Sequence, residues 1–160
     1  MSASGITPSA IEIQTCGPIH GSIQPPGSKS ITNRALVIAA LAEGNSLLRG
    51  ALASEDTQVM IESLARLGVR VVEKEDGATL EVAGCGGHGP NGSADLFIGN
   101  SGTTVRFLTA MLAACSGKFR LDGVPRMRER PIADLISTLN KLGGNVRSEL
   151  NSGCPPVVLE

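Results

Sequence analysis

A register of 72 residues lays one part of this chain on another: Gly27 falls on Gly99, Arg34 on Arg106 and Leu36 on Leu108. Two Leu-Gly pairs that read as helix ends, Leu67-Gly68 and Leu142-Gly143, stand 75 apart. Self-similarity at a fixed spacing means one supersecondary unit used more than once, each copy burying its apolar face against a neighbour. The spacing exceeds the roughly 20–50 residues of solenoid repeats, so each unit must hold several elements. The competing explanation is two Ala- and Leu-rich helices that match by composition alone.

Gly and Pro divide each copy into short elements. Ile11 to Gln14 and Ser22 to Gln24 read as short strands after a frayed start at residues 1–9, and Pro25-Pro26-Gly27 forces a turn. ITNRALVIAALAEG, residues 31–44, is rich in helix formers and apolar on nearly all sides, which predicts a buried helix stopping near Gly44. Ser46 to Leu52 is extended. Ser54 caps a second helix whose Met60, Leu64 and Leu67 share one face, and Gly68 ends it. Val69 to Glu75 and Ala78 to Ala83 flank Asp76-Gly77, a strong hairpin signal. Beyond the Gly-rich stretch GCGGHGPNGS the same order returns. A strand at Leu96 to Ile98 leads to a buried helix in GNSGTTVRFLTAMLAAC, then come the strand FRLDG, a helix between Pro131 and Gly143-Gly144, and the strands NVRSEL and PPVVLE.

Composition narrows the function. With 41% hydrophobic and 18% charged residues in 160 positions, the chain is globular in balance and of ordinary domain size. Three Phe with neither Trp nor Tyr exclude nucleic-acid binding by aromatic stacking. A net charge of -1 removes any general attraction to polyanions, so an anionic partner has to be met by a local cluster. No apolar run nears the roughly 20 residues that span a bilayer, and MSASGITPSAIEIQ lacks the pattern of a signal peptide. The expectation is a cytoplasmic protein with no membrane partner. Cys16, Cys85, Cys115 and Cys154 are scattered, which predicts reduced thiols, and His20 and His88 have no Cys at zinc-ligand spacing, so no metal is expected.

Three segments carry chemistry, each where a turn opens a helix. In PPGSKSITNR a Gly lets the backbone approach a ligand, while Ser28, Lys29 and Ser30 stand at the positive end of the helix and Arg34 follows one turn on. A second Gly is missing for a Walker A pattern. In GNSGTT, Gly99, Gly102, Thr103 and Thr104 repeat that arrangement. In VPRMRERPIADL, Arg126, Arg128 and Arg130 alternate ahead of a Pro-started helix, which puts them on one side of an extended segment unless a turn intervenes. Each segment alone also fits a bland structure: a capping Ser beside a solvated Lys, a Gly turn with Thr caps, a basic loop. Their coincidence in a chain without net positive charge favours an anion site.

GSKSITNRALVIAALAEG, LFIGNSGTTVRFL and PRMRERPI, in this order and spacing, resemble the 5-enolpyruvylshikimate-3-phosphate (EPSP) synthases from about residue 10 to the end. The related UDP-N-acetylglucosamine enolpyruvyl transferases are less similar, since they lack the K-S-x-x-N-R segment. The resemblance implies an α/β fold of repeated βαβαββ units, part of one lobe of an inside-out α/β barrel. Residues 1–24 would be a tail with strands leading toward the other lobe, 25–88 the first unit and 89–160 the second, with the C-terminal remainder of the enzyme absent. It implies a transferase of the shikimate pathway that moves an enolpyruvyl group from phosphoenolpyruvate to the 5-hydroxyl of shikimate 3-phosphate, with no cofactor and as a monomer at full length. Lys29, Ser30 and Arg34 would bind shikimate 3-phosphate, Lys29 also taking part in catalysis and reaching phosphoenolpyruvate. Asn100, Gly102, Thr103 and Arg130 would bind phosphoenolpyruvate, Gly102 staying small to leave room for it. Ser101, Thr104, Val105 and Phe107 depart from the family's usual G-N-A-G-T-A-M-R-P. Family members are more than twice as long, so an N-terminal portion without activity of its own is expected. A non-catalytic phosphate-binding module and a purely structural repeat are the alternatives.

Overall fold

The computed structural model describes residues 10–74, 77–89 and 92–160. The frayed start at residues 1–9 and Asp76 of the hairpin signal lie outside them. In chain order the elements are α1 (Lys29–Leu41), β1 (Asn45–Arg49), α2 (Glu55–Arg66), β2 (Val71–Glu73), β3 (Thr79–Ala83), β4 (Gly92–Phe97), α3 (Gly102–Leu112), β5 (Gly117–Asp122), a 3-10 turn (Pro125–Glu129), α4 (Ala133–Lys141), β6 (Val146–Ser148) and β7 (Val157–Leu159).

Two sheets form. One has the order β1-β3-β2 and is antiparallel throughout. The other has the order β4-β5-β7-β6, with β4 parallel to β5 and the other pairs antiparallel. Without β4 the two orders coincide, β1 matching β5, β2 matching β6 and β3 matching β7. The sequence repeat is therefore a repeat of topology, which composition alone does not produce. The counterpart of β4, 72 residues earlier, is the segment 20–25, which is exposed and forms no strand.

The strands expected at Ile11 to Gln14 and Ser22 to Gln24 are thus absent. Ile11, Ile13, Ile19 and Ile23 are 81–89% exposed. Alternating apolar residues make a strand only where a sheet edge receives them, and among the described residues none pairs with the segment. Pro25 and Pro26 also remove two backbone donors.

The helices start and stop on local signals. Ser54 caps α2 in a reciprocal pair with Thr57, with Glu55 and Asp56 in the first turn. Gly68 and Gly143 take positive φ, 86° and 96°, just past α2 and α4, where a residue with a Cβ would be strained. Leu36 of α1, Met60 and Leu64 of α2, Leu108 of α3, Leu121 of β5 and Met127 of the 3-10 turn are all fully buried in one core shared by the two units. Each such side chain contributes about 1.5–3 kcal/mol. α1 packs on both α2 and α3. It is not buried all round as expected, because Ile31 and Ile38 are 65% and 69% exposed, and the face that carries them is open. Among the described residues no helix is long and apolar enough to cross a membrane.

Candidate functional site

The starts of α1 and α3 lie side by side. Ser28 caps α1 by accepting a hydrogen bond from the Ile31 N–H, and Ser101 caps α3 by accepting from the Thr104 N–H. Gly27 has a packing reason to be small that its sequence context does not show. An added Cβ would lie 2.3 Å from the Gly50 carbonyl oxygen and 2.8 Å from the Leu52 nitrogen, so this glycine lets the chain seat against the end of β1. Thr32, from within α1, receives the Leu52 N–H at 3.0 Å and ties the same contact from the other side.

From this frame Lys29 extends to Asp56 at the start of α2, 2.7 Å away, its side chain still half exposed. Arg34 stacks on the Phe107 ring of α3, 5.5 Å from its centroid, a cation–π contact that joins the helices one turn below their starts. Asn33 donates to the Thr103 hydroxyl at 2.8 Å, a second link between the helices.

On the α3 side two guanidinium groups press on Gly102. Arg106 donates to the Gly102 carbonyl and to the Pro131 carbonyl, both at 2.9 Å, and Arg130 donates to the Asn100 carbonyl at 3.0 Å. A Cβ on Gly102 would lie 2.6 Å from Arg130 Nη1 and 3.3 Å from Arg106 Nη1. Gly102 is small because a guanidinium occupies the space beside it.

The three alternating arginines do not share one side. Pro125–Glu129 turns as a 3-10 helix, which spreads successive residues around an axis. Arg126 pairs with Glu129. Arg128 grips Asp122 with two hydrogen bonds, 2.9 and 2.6 Å, while Arg120 adds a third to Asp122 and binds both oxygens of Glu149. Arg128 therefore holds the Asp122 carboxyl below its ordinary range, helped by the Gly123 N–H, and Arg120 likewise lowers Glu149. Of the three, only Arg130 lines the cavity between the helix starts.

That cavity has a volume of about 830 Å³. Lys29, Ser30, Arg34, Asn100, Gly102, Thr103 and Arg130, the seven residues singled out from the sequence, all line it. So do Glu55, Asp56, Arg106, Phe107 and Pro131, to which the sequence reading gave no place in a site. Arg106 was visible as the repeat partner of Arg34, and Asp56 as an acidic residue in the first turn of a capped helix. Neither carries a signal of which cavity it faces. Four cations and two carboxylates line one hollow into which two helix starts open, an arrangement suited to a ligand with phosphate or carboxylate groups.

The fold and cavity define a class, repeated α/β proteins whose paired helix starts face one cationic hollow. The sequence profile of EPSP synthase (3-phosphoshikimate 1-carboxyvinyltransferase) matches residues 13–160, and the chain belongs to that family. It is 48% identical over 139 residues to the 3-phosphoshikimate 1-carboxyvinyltransferase of Nostoc punctiforme, covering 87% of this chain and 33% of that protein. With the enzyme of the same name from Paraburkholderia phytofirmans it shares 52% identity over 137 residues, 86% of this chain and 31% of the relative. The solved EPSP synthase from Acinetobacter baumannii superposes with a TM-score of 0.79 at 29% identity, over 87% of this chain and 32% of that one. The fold is accordingly the mixed α/β fold of the enolpyruvyl transferases. The chain spans about a third of the length of these relatives.

Proposed function

We propose that this chain forms one wall of the substrate site of an EPSP synthase, a cytoplasmic enolpyruvyl transferase of the shikimate pathway. The observation that carries the proposal is the convergence of two capped helix starts with Lys29, Arg34, Arg106 and Arg130 on one cavity. Lys29, Ser30 and Arg34 hold shikimate 3-phosphate, and Asn100, Gly102, Thr103 and Arg130 hold phosphoenolpyruvate, with Lys29 reaching both. We take residues 25–88 and 89–160 as the two units that contribute these halves.

In the reaction the 5-hydroxyl of shikimate 3-phosphate adds to C2 of phosphoenolpyruvate while C3 is protonated. Inorganic phosphate then leaves, and a proton lost from C3 restores the double bond of EPSP. Two ligands carrying phosphate and carboxylate repel one another in water. The cationic wall offsets that repulsion, fixes the distance between the reacting atoms and stabilises charge in the tetrahedral intermediate. Lys29, released from Asp56 by an arriving phosphate, is placed to follow the charge as it moves.

Titration of the chain with shikimate 3-phosphate tests the proposal. Saturable binding that falls at least about ten-fold in Lys29→Ala and in Arg34→Ala is expected, as for the loss of one charge-assisted contact. Binding unchanged by both substitutions would remove the cavity from consideration. A full-length relative carrying this segment and supplied with both substrates should release phosphate.

A further inference from the structure

One side chain buried behind the wall of the cavity is polar where the fold asks for an apolar group. Asn33 of α1 is fully buried, and its Oδ1 has no hydrogen-bond partner among the described residues. The 72-residue register sets it on Val105 of α3, itself 1% exposed in the core. The positions around it are conserved in character between the two units: Thr32 and Thr104 are both buried, Leu36 and Leu108 both fully so, and Arg34 matches Arg106. The unit is thus built to accept a branched apolar residue at this place. An amide with an unsatisfied carbonyl is the less stable choice there, and a departure of this kind points to a task other than folding.

Its partner indicates the task. The Thr103 hydroxyl has one proton to give and two lone pairs. One lone pair accepts the Asn33 Nδ2–H at 2.8 Å. Ser101 Oγ, 3.4 Å away, is a long contact for its proton, and that oxygen already accepts the Thr104 N–H at 3.3 Å and pairs with Thr104 Oγ1 at 2.7 Å. Thr103 lines the cavity, where an anionic occupant would offer that proton a better acceptor. We propose that Asn33 is a positioning residue that makes the Thr103 hydroxyl a donor to a phosphate or carboxylate at the α3 start. The same bond couples the two helix starts, because Asn33 precedes Arg34 on α1 and lies one turn from Lys29 and Ser30. An anion held on the α1 side steadies the amide that orients the donor on the α3 side, and the two ligands favour each other's binding. This inference rests on the anion-binding role proposed above.

The test is an NMR titration of the chain with phosphoenolpyruvate, with and without shikimate 3-phosphate, alongside thermal unfolding. Asn33→Val installs the residue that the second unit carries at the matching position. It should leave the melting temperature equal or higher, lower phosphoenolpyruvate affinity about ten-fold and abolish the gain from shikimate 3-phosphate. Thr103→Val should bring the same loss, the double variant no further loss, and Thr103→Ser, which keeps the hydroxyl, little change. A lower melting temperature with unchanged affinity and coupling in Asn33→Val would mean that the amide serves the core alone and overturns the proposal, as would additive losses in the double variant. Absence of binding by the unaltered chain would overturn the anion site itself and the inference with it, whereas loss of coupling alone in the variants would support the inference.

Discussion

At the scale of single residues, Gly27 and Gly102 open matching helix starts yet are small for different reasons, and substitution separates them. In Gly102→Ala the methyl meets the far end of a flexible side chain, so the Arg130 guanidinium moves and its bond to the Asn100 carbonyl is lost. Stability should hardly change, while phosphoenolpyruvate affinity falls about ten-fold, the size expected for one displaced charged contact, and shikimate 3-phosphate affinity stays within about two-fold. Equal losses for both ligands in calorimetry would contradict this. In Gly27→Ala the methyl meets backbone at 2.3 Å, which cannot yield cheaply. A loss of about 2 kcal/mol is expected, about 5 °C in melting temperature for a chain of this size. Both glycines could be seen in the sequence as special; what each one touches could not, since the neighbours are some 25 residues away in one case and 28 in the other.

Among elements, the 3-10 turn Pro125–Glu129 decides which arginine reaches the cavity. Asp122, at the end of β5, holds the turn through Arg128 and has a side chain only 13% exposed. Its carboxyl is lowered in the folded chain relative to the unfolded one. Stability from this pair is therefore fully present above the unfolded value near 3.8 and is lost as pH falls through the lower folded value. The melting temperature should fall on acidification below about pH 4, and Asp122→Asn should flatten that limb while lowering stability at neutral pH by about 1–2 kcal/mol. Melting curves across the acid range check both. The alternation of Arg126, Arg128 and Arg130 suggested a flat row because period two is the local rule for extended chain. The turn was legible only as the condition attached to that rule, since the carboxylate that holds the segment, Asp122, lies outside it on β5. The strands expected near Ile11 and Ser22 failed for the complementary reason: the alternation is there and the partner is not.

On the scale of the molecule, the cavity is a wall open to solvent, and Lys29 remains half exposed beside it. Contacts between charges in water at ~4 Å are worth ~1 kcal/mol, so binding by this chain should be weak and fall steeply as ionic strength rises. Supplied with both substrates, the chain alone should release no phosphate above background. Positioning by one wall does not replace the proton transfers of the reaction, which general acid–base groups typically accelerate by about 100-fold to 10,000-fold. Phosphate release at the rate of a full-length relative would overturn this expectation. At this scale the sequence was most informative: the 72-residue register anticipated one supersecondary unit used twice, because helix caps, Gly stops and apolar spacing are local and act alike in both copies. The shared strand order and the meeting of the helix starts came only with the structure.

The matched sheets differ at one edge. β5 lies between β4 and β7, whereas among the described residues β1 pairs with β3 alone. Two strands made by equivalent segments thus have different access to the solvent's protons. In deuterated water the amides on the open side of β1 should exchange soon after dilution, on the timescale of local fluctuation. Those of β5 should persist until the larger sheet opens. Exchange followed residue by residue would register the duplicated unit as two clocks, one fast and one slow, set apart by a single neighbouring strand.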